Sequence, residues 1–236
     1  MGSIPPPPSP SILNRLIDID KSVSLHLHST AQPFLPRSLL KTLEISGDGR
    51  LFFPLAISLL LSPLSTATAT ATTFLLSSLL IGAVLDLLLV GLTKHLVRRP
   101  RPVYNKDMFL SFAVDHWSFP SGHSSRVCFV AAFLSLSSAA IRDAIAQLRL
   151  SRVEYVNKLI DSVGIDDGAA VNLVVLVACS WAAATSISRV LLGRHFVCDV
   201  IAGALLGVLE ALLVFRFQFA WIRVPSSNFV LEFCGG

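Results

Sequence analysis

Three short blocks of the chain combine cations, histidines and small residues at fixed spacings. Together they hold three cations, two histidines and one carboxylate. A phosphoryl-transfer site needs such a set, because charge on three phosphate oxygens has to be neutralised while a nucleophile and a leaving-group acid stand in line. The blocks are Lys94 with Arg101 and Pro102; Pro120, Ser121, Gly122 and His123; and Ser188, Arg189, His195 and Asp199.

Five of these residues are predicted to bind the phosphate. Planar guanidinium groups suit bidentate contacts with phosphate oxygens, and a lysine adds a third positive charge. Ser121 and the amide of Gly122 lie where an apolar segment begins, and the first N–H groups of a helix favour an anion because they lack partners. Glycine also lets a ligand approach the backbone closely. The predicted phosphate ligands are Lys94, Arg101, Ser121, Gly122 and Arg189.

The two histidines are predicted to carry the chemistry. His195 and Asp199 are four residues apart, so on a helix they share one face and the carboxylate can hold the imidazole in one tautomer. His195 is therefore the predicted nucleophile and Asp199 its orienting residue. His123 is then free to protonate the leaving oxygen. Attack of water on the phosphohistidine, with His123 as the base, would complete turnover.

The elements that position these blocks are predicted to be membrane-spanning helices. Of the 236 residues, 53% are hydrophobic and 14% are charged, and the mean hydropathy is +0.69, which is too apolar for a soluble domain of this size. A spanning helix needs about 20 apolar residues. Five stretches approach that length, so the predicted fold is an all-α polytopic membrane bundle of about five spans: 51–64, 73–93, 126–141, 171–190 and 198–220.

Alternate crossing by these spans brings the three blocks to one face of the membrane. Lys94 and Arg101 follow the second span, and His123 opens the third. Arg189 ends the fourth span and His195 opens the fifth. Blocks on opposite faces of the membrane could not form one site. Because all three blocks fall on the same face, coincidence is a poor explanation of the eleven fixed positions.

The rest of the chain is predicted to flank a membrane domain at 51–220. Residues 1–11 are proline-rich and predicted to be disordered, and residues 12–50 are predicted to form amphipathic helices at the membrane surface. His26 and His28 lie in that segment, but a separation of two is poor spacing for one helix face, so interfacial histidines are preferred to a metal pair. The tail at 221–236 offers no motif.

Other charged residues have a plainer interpretation. Cations at span ends usually set topology, and this interpretation is preferred for Arg98, Arg99, Lys106 and Arg194. Asp86 lies inside the second span, where a carboxylate is costly unless it faces the bundle interior or is paired, so a structural partner is favoured over a functional acid. The four cysteines have neither disulfide nor metal spacing. No metal or cofactor is predicted.

The three blocks resemble, without departure, the signature K-x6-RP, PSGH, SR-x5-H-x3-D of the type 2 phosphatidic acid phosphatase family. That family includes lipid phosphate phosphatases, glucose-6-phosphatase, bacterial acid phosphatases and vanadium haloperoxidases. The resemblance implies a helical bundle, metal-independent hydrolysis of phosphomonoesters or diphosphates, and the residue roles predicted above. The motifs cover residues 94–199, and the hydropathy pattern extends the resemblance to about 220.

The amino-acid sequence between the blocks narrows the resemblance to one branch of the family. RRPRPVYNKDMFLSFAVDHWSFPSGHSSR is similar to the branch that contains polyisoprenoid (presqualene) diphosphate phosphatase and the plant lipid phosphate phosphatase beta type. For that branch the implied substrates are isoprenoid diphosphates and lipid monophosphates. Lipid phosphate phosphatases usually have six spans, and residues 12–30 are the candidate for the additional one.

Other functions compete with that of a lipid phosphatase. A catalytically silent lipid-binding relative should have lost a histidine or a cation, and this chain keeps them all. A phosphatase of a soluble phosphate ester stays open, whereas a haloperoxidase fits poorly with so many spans. The net charge of +4 comes mainly from cations at span ends, so nucleic-acid binding is not predicted. The predicted partners are a lipid phosphate or diphosphate and the bilayer; nothing specifies an oligomeric state.

The distribution of cations also predicts an orientation in the membrane. Outside the phosphate ligands, about nine Lys and Arg residues lie on the catalytic side and about six on the other. By the positive-inside tendency this favours a cytosolic active site. The endoplasmic reticulum is the predicted membrane, although the chain carries no retention signal.

Overall fold

The computed structural model describes residues 11–61, 71–104, 116–150 and 166–222. Eight helices and no strand occur within these ranges, so the predicted all-α class is confirmed. The predicted disordered start, except Ser11, and the tail from residue 223 lie outside the described residues. The helices are α1 (Ile12–Ala31), α2 (Arg37–Ser46), α3 (Gly49–Leu60), α4 (Ala71–Val97), α5 (Gly122–Leu136), α6 (Ser138–Leu150), α7 (Asp167–Leu191) and α8 (Val197–Ile222).

Three helices, α4, α7 and α8, are long and apolar enough to cross a membrane. They match the predicted spans 73–93, 171–190 and 198–220. The span predicted at 126–141 is bent by 69° between α5 and α6, and this pair together forms a fourth candidate span. The stretch predicted at 51–64 contains α3, whose 12 residues extend only about 18 Å, less than the hydrocarbon core of about 30 Å.

The bundle carries apolar side chains outside and charged side chains inside. Leu88 of α4 and Leu205 of α8 are 64% and 67% exposed, whereas Arg189 and Asp199 are fully buried. This distribution suits hydrocarbon surroundings, where apolar surface faces lipid and ionisable groups face the interior of the bundle.

Helices α5 and α8 are in backbone contact along a pair of glycines. A Cβ atom on Gly203 would lie 2.4 Å from the carbonyl oxygen of Ser121, and one on Gly207 would lie 2.0 Å from that of Ser125. Small residues four apart permit this close helix packing. The start of α5 therefore lies against the start of α8, where the Ser121 amide donates to the carbonyl oxygen of Asp199 at 2.9 Å.

Helix α1 turns its polar face toward the bundle and its apolar face away from it. Ile12 and Leu16 are 80% and 58% exposed, whereas Asp20 and Ser24 are buried. The helix packs against α7 and α8. An outward apolar face suits the membrane interface that the sequence predicts for this segment.

Asp86 of α4 has the structural partner that the sequence analysis favoured. Its Oδ2 atom lies 3.0 Å from Nη2 of Arg126 on α5. Glu210 of α8 is also fully buried and lies beside the same carboxylate. An ion pair between neighbouring helices explains how Asp86 is tolerated inside a span.

Candidate active site

The three blocks converge around His195, which lies in the link between α7 and α8. Nη1 of Arg101 is 3.1 Å from Nε2 of His195. The charges of Arg189 and Lys94 act on the same imidazole, as does His123. Residues that are distant in sequence thus meet at one end of the bundle, in a largely buried space.

The hydrogen bonds of His195 define which ring nitrogen faces the cations. Nδ1 lies 2.7 Å from the carbonyl oxygen of Ser118, which can only accept. Nε2 faces Arg101, which can only donate. This pattern assigns the proton to Nδ1 and leaves the lone pair of Nε2 directed at the cationic group. Burial, followed by the charges of Arg101 and Arg189, holds the pKa of His195 well below its ordinary value, so the ring is neutral.

Asp199 does not hold the imidazole in the way its spacing suggested. Its Oδ2 atom is 3.8 Å from Nδ1 of His195, which is beyond hydrogen-bonding distance. That oxygen instead accepts from the amide of Phe196 at 2.9 Å, and Oδ1 accepts from Arg99 at 2.7 Å. Because both oxygens are engaged elsewhere, the carbonyl of Ser118 orients the ring, and Asp199 supports the link that carries it.

Arg189 combines one fixed contact with two open donors. Its Nη1 atom donates to Oε1 of Glu44 on α2 at 2.5 Å. Its Nε and Nη2 atoms are buried and have no hydrogen-bond partner among the described residues. Unpaired buried donors are rare in folded proteins, and a bound anion is one explanation for them.

Glu44 joins Arg189 of the third block to Arg194, the residue before His195. Arg194 is 2% exposed, and its Nε atom lies 3.3 Å from the Oε1 atom that also accepts from Arg189. Burial raises the pKa of Glu44, but the charges of Arg189 and Arg194 outweigh it and lower the pKa overall. The carboxylate therefore stays ionised and holds both guanidinium groups in place.

The remaining predicted site residues lie at the start of α5 and the end of α4. Ser121 is the N-cap of α5, where its Oγ atom accepts from the amide of Ser124, and Gly122 is the first residue of that helix. His123 follows, and its Nε2 atom is buried without a hydrogen-bond partner in the described part of the chain. Lys94, near the end of α4, is only 5% exposed.

Two cations interpreted as topology determinants have other roles, which corrects that prediction. Arg99 forms ion pairs with Asp20 and Asp199, both at 2.7 Å, and Arg194 pairs with Glu44. Their acidic partners lie on other helices, so no local spacing could reveal them. Arg98 is exposed, in keeping with the preferred interpretation, and Lys106 lies outside the described residues.

His28 is also more than an interfacial histidine. Its Nδ1 atom is 2.7 Å from the carbonyl oxygen of Leu191, and its ring stacks on Tyr104 with centroids 4.8 Å apart. His26, in contrast, is exposed. One signal could have found the contact: Asp20, Ser24 and His28 recur every four residues, so they form a polar stripe along one face of α1.

A cavity of about 440 Å³ lies beside the link that carries His195. Leucines and polar side chains share its wall, a composition that suits an amphiphilic ligand. Within the described ranges, no group of three or more His, Cys, Asp or Glu side chains could hold a metal ion. The residues lining the cavity are His28, Gln32, Leu35, Arg37, Leu40, Tyr104, Leu191 and Leu192.

Fold and site together define a helical membrane protein with a buried cationic site and two histidines. The chain belongs to the PAP2 superfamily, whose family model matches residues 66–223. The probable lipid phosphate phosphatase beta of Arabidopsis thaliana is 43% identical over 205 residues, which are 86% of this chain and 90% of that relative.

A solved structure shares the fold. The PAP2-type phosphatidylglycerolphosphate phosphatase from Bacillus subtilis is 23% identical, with a TM-score of 0.61 over 89% of this chain and 90% of its own. The family, the helical membrane fold and the assignment as a phosphate-ester hydrolase, all predicted from the sequence, are confirmed by these comparisons.

Proposed function

We propose that this membrane phosphatase hydrolyses lipid phosphate monoesters and isoprenoid diphosphates through a phosphohistidine on His195, without a metal ion. The observation that carries the proposal is the pairing of a neutral, buried nucleophile with open cationic donors. Nε2 of His195 faces Arg101, and two donors of Arg189 are buried without partners among the described residues.

The proposed reaction begins when the phosphate enters the cationic group. The guanidinium groups of Arg101 and Arg189, together with Lys94, neutralise its oxygens. Ser121 and the amide of Gly122 add donors at the start of α5. Arg101 has to release the lone pair of His195, and a phosphate oxygen replaces that nitrogen as its acceptor.

Two displacements then complete turnover. In the first, Nε2 of His195 attacks phosphorus, the bond to the leaving oxygen breaks, and His123, which enters this step protonated, gives that oxygen its proton and becomes neutral. In the second, water attacks the phosphohistidine and loses a proton to His123, and the phosphorus–nitrogen bond breaks to release phosphate. Asp199 acts in both steps by supporting the link that bears the nucleophile.

The proposed substrate class rests on the membrane setting and on the Arabidopsis thaliana relative. The site lies at one end of helices long and apolar enough to span a membrane, with exposed apolar side chains on their outer faces, and this setting supports a substrate with a lipid tail. The relative at 43% identity is named a probable lipid phosphate phosphatase. A soluble phosphate ester is the competing substrate class, and a catalytically silent lipid-binding protein is the competing non-enzymatic function.

Phosphate release by the purified protein distinguishes these functions. Phosphatidate, lysophosphatidate, farnesyl diphosphate and a sugar phosphate are compared in detergent micelles containing excess chelator, with His195→Ala as the background control. We expect the lipid phosphates or the diphosphate to be hydrolysed and the sugar phosphate to be poor. A preference for the sugar phosphate would contradict the lipid assignment, and loss of activity in chelator that Mg²⁺ restores would contradict the metal-independent mechanism.

We further propose that the active site faces the cytosol from the endoplasmic reticulum membrane. The excess of cations on the catalytic side supports this orientation, although Arg99 and Arg194 belong to buried ion pairs and reduce the excess. Cys198 is exposed next to Asp199 and reports on this face. In a variant that keeps only Cys198, a membrane-impermeant maleimide should label intact microsomes; labelling only after permeabilisation would contradict the orientation.

A further inference from the structure

The start of α8 lacks a capping side chain of its own. The residue that precedes the helix is Phe196, whose side chain cannot accept a hydrogen bond, whereas Ser, Thr, Asp and Asn are preferred at that position. Asp199 supplies half of a capping box by accepting from the amide of Phe196 at 2.9 Å. The amides of the next two residues need acceptors from elsewhere.

Helix α1 supplies both acceptors. The amide of Val197 donates to Oγ of Ser24 at 2.9 Å, and the amide of Cys198 donates to Oδ1 of Asp20 at 3.0 Å. Ser24 and Asp20 are buried and four residues apart, so one face of α1 reaches both amides. A helix that begins 185 residues earlier in the chain thus caps the helix that follows the catalytic link.

Asp20 also holds the arginine that binds Asp199. Its second oxygen, Oδ2, accepts from Nη2 of Arg99 at 2.7 Å, and Nη1 of the same guanidinium donates to Asp199 at 2.7 Å. The guanidinium lies 4.2 Å above the ring of Phe196, which immediately follows His195. Arg99 is therefore fixed on three sides, and Asp20 is one of its two carboxylate partners.

Asp199 connects these contacts to the second and third predicted blocks. Its side chain holds the amide of Phe196, and its backbone carbonyl accepts from the amide of Ser121 at 2.9 Å. We propose that Asp20 is a positioning residue for catalysis, which acts through Arg99 and the start of α8 to fix His195 against the phosphate ligands. This inference rests on the proposed role of His195.

A single-turnover measurement with enzyme in excess tests the proposal, because its limiting rate constant is unaffected by an inactive fraction of the protein. The substrate is whichever of phosphatidate and farnesyl diphosphate the wild type hydrolyses. Asp20→Asn keeps the size of the side chain and an acceptor for Cys198 but removes the charge that holds Arg99. We expect the rate constant to fall about tenfold, since small displacements of reacting groups are costly.

Two further variants make the result specific. Asp18→Asn removes an exposed carboxylate from the same helix and should leave the rate constant within about twofold of wild type. In an Arg99→Gln background, Asp20→Asn should add less than about twofold, because residues that act through one another are not additive. Equal rate constants for Asp20→Asn and Asp18→Asn would overturn the proposal.

Hydrogen exchange of the amides at 196–199 tests the same contacts without turnover. Asp20→Asn and Ser24→Ala should each speed exchange of these amides, and Asp18→Asn should not. If the wild type releases no phosphate from any lipid, the proposed function fails and the catalytic part of the inference fails with it, while exchange still decides whether α1 fixes the start of α8. Unchanged exchange in both variants would overturn it, whether or not the enzyme is active.

Discussion

Within the described residues, the segment 94–199 and the N-terminal helices α1 and α2 meet at the same site and, apart from Asp199, supply opposite charges. The first segment contributes the cations and both histidines. The N-terminal helices contribute two carboxylates, Asp20 and Glu44. These bind Arg99 and Arg189, respectively, and do not occupy the space between the histidines. A phosphate is itself negative, so these carboxylates are suited to holding its ligands and not to contacting it.

This division separates residues that are proposed to contact the substrate from residues that fix those residues in place. Substrate-contacting groups are restricted in type and spacing by phosphate chemistry, and they form a recognisable signature. A supporting group has only to reach one partner, so side chains of several types, on any of several helices, could provide the support. We therefore expect substitutions in the first segment to reduce activity more than substitutions in α1 and α2.

The largest effect is expected for His195, the proposed nucleophile. His195→Ala should reduce turnover by roughly 10⁴-fold or more, as removal of a covalent nucleophile does, while the purified protein keeps its helical content. Phosphate release under saturating substrate measures the loss, and circular dichroism checks the fold. Substantial residual turnover in a folded variant would contradict the assigned role.

A smaller loss of activity is expected when Arg189, a proposed phosphate ligand, is replaced by a residue with the same charge but a different shape. Arg189→Lys cannot present the two open donors of the guanidinium and should lower kcat by about 10²–10³-fold. Arg142→Lys, which changes an exposed arginine on α6, is the matched control and should behave as wild type. Equal kinetics for the two variants would break the distinction between ligand and surface cation.

A still smaller effect is expected from the support provided by α2. Glu44→Gln removes the charge that holds Arg189, so kcat should fall about tenfold through loss of orientation. KM should not rise, because one negative charge beside the phosphate has been removed. Steady-state kinetics against Asp143→Asn, an exposed carboxylate on α6, measure this split. A raised KM with unchanged kcat would indicate that Glu44 contacts the substrate.

The smallest expected effect concerns pH and stability. Burial first, and then the charge of Arg101, hold the pKa of His195 well below its unfolded value of about 6.5. As the pH falls, His195 of the unfolded chain therefore takes up a proton before His195 of the folded protein does. His195 leaves the free energy of unfolding unchanged above pH 6.5. Below that value it lowers the free energy of unfolding by up to about 1.4 kcal/mol per pH unit. Because asparagine does not titrate, the His195→Asn variant should lose less stability than the wild type between pH 7.5 and 5.5, as measured by thermal unfolding in detergent. Equal losses in the two proteins would contradict a buried neutral ring.

Much of this architecture could be predicted because it depends on local pattern. Apolar length locates α4, α7 and α8, and alternate crossing brings His123 and His195 to one end of the bundle. The bend between α5 and α6 could not be predicted, since Ser137 sits in an otherwise helical stretch without a proline or glycine signal. The shortness of α3 was likewise hidden by an apolar run that continues beyond it.

The supporting contacts could not be predicted for a different reason. Asp20 and Cys198 are 178 residues apart, and Glu44 and Arg189 are 145 apart, so no spacing rule connects them. Helix geometry predicts a contact between Asp199 and His195. In the structure, the two carboxylate oxygens of Asp199 instead accept from the amide of Phe196 and from Arg99. Competition for those oxygens depends on which partner α1 packs against, whereas sequence periodicity identifies only the polar face of that helix.

The covalent intermediate tests the central claim most directly. Wild-type protein is mixed with a lipid substrate labelled in the transferred phosphate, quenched in alkali within one turnover, and digested for mass spectrometry. The label should be found on His195 and should be absent in His195→Ala. Label on any other residue, or none under conditions in which phosphate is released in a burst, would contradict nucleophilic catalysis by His195.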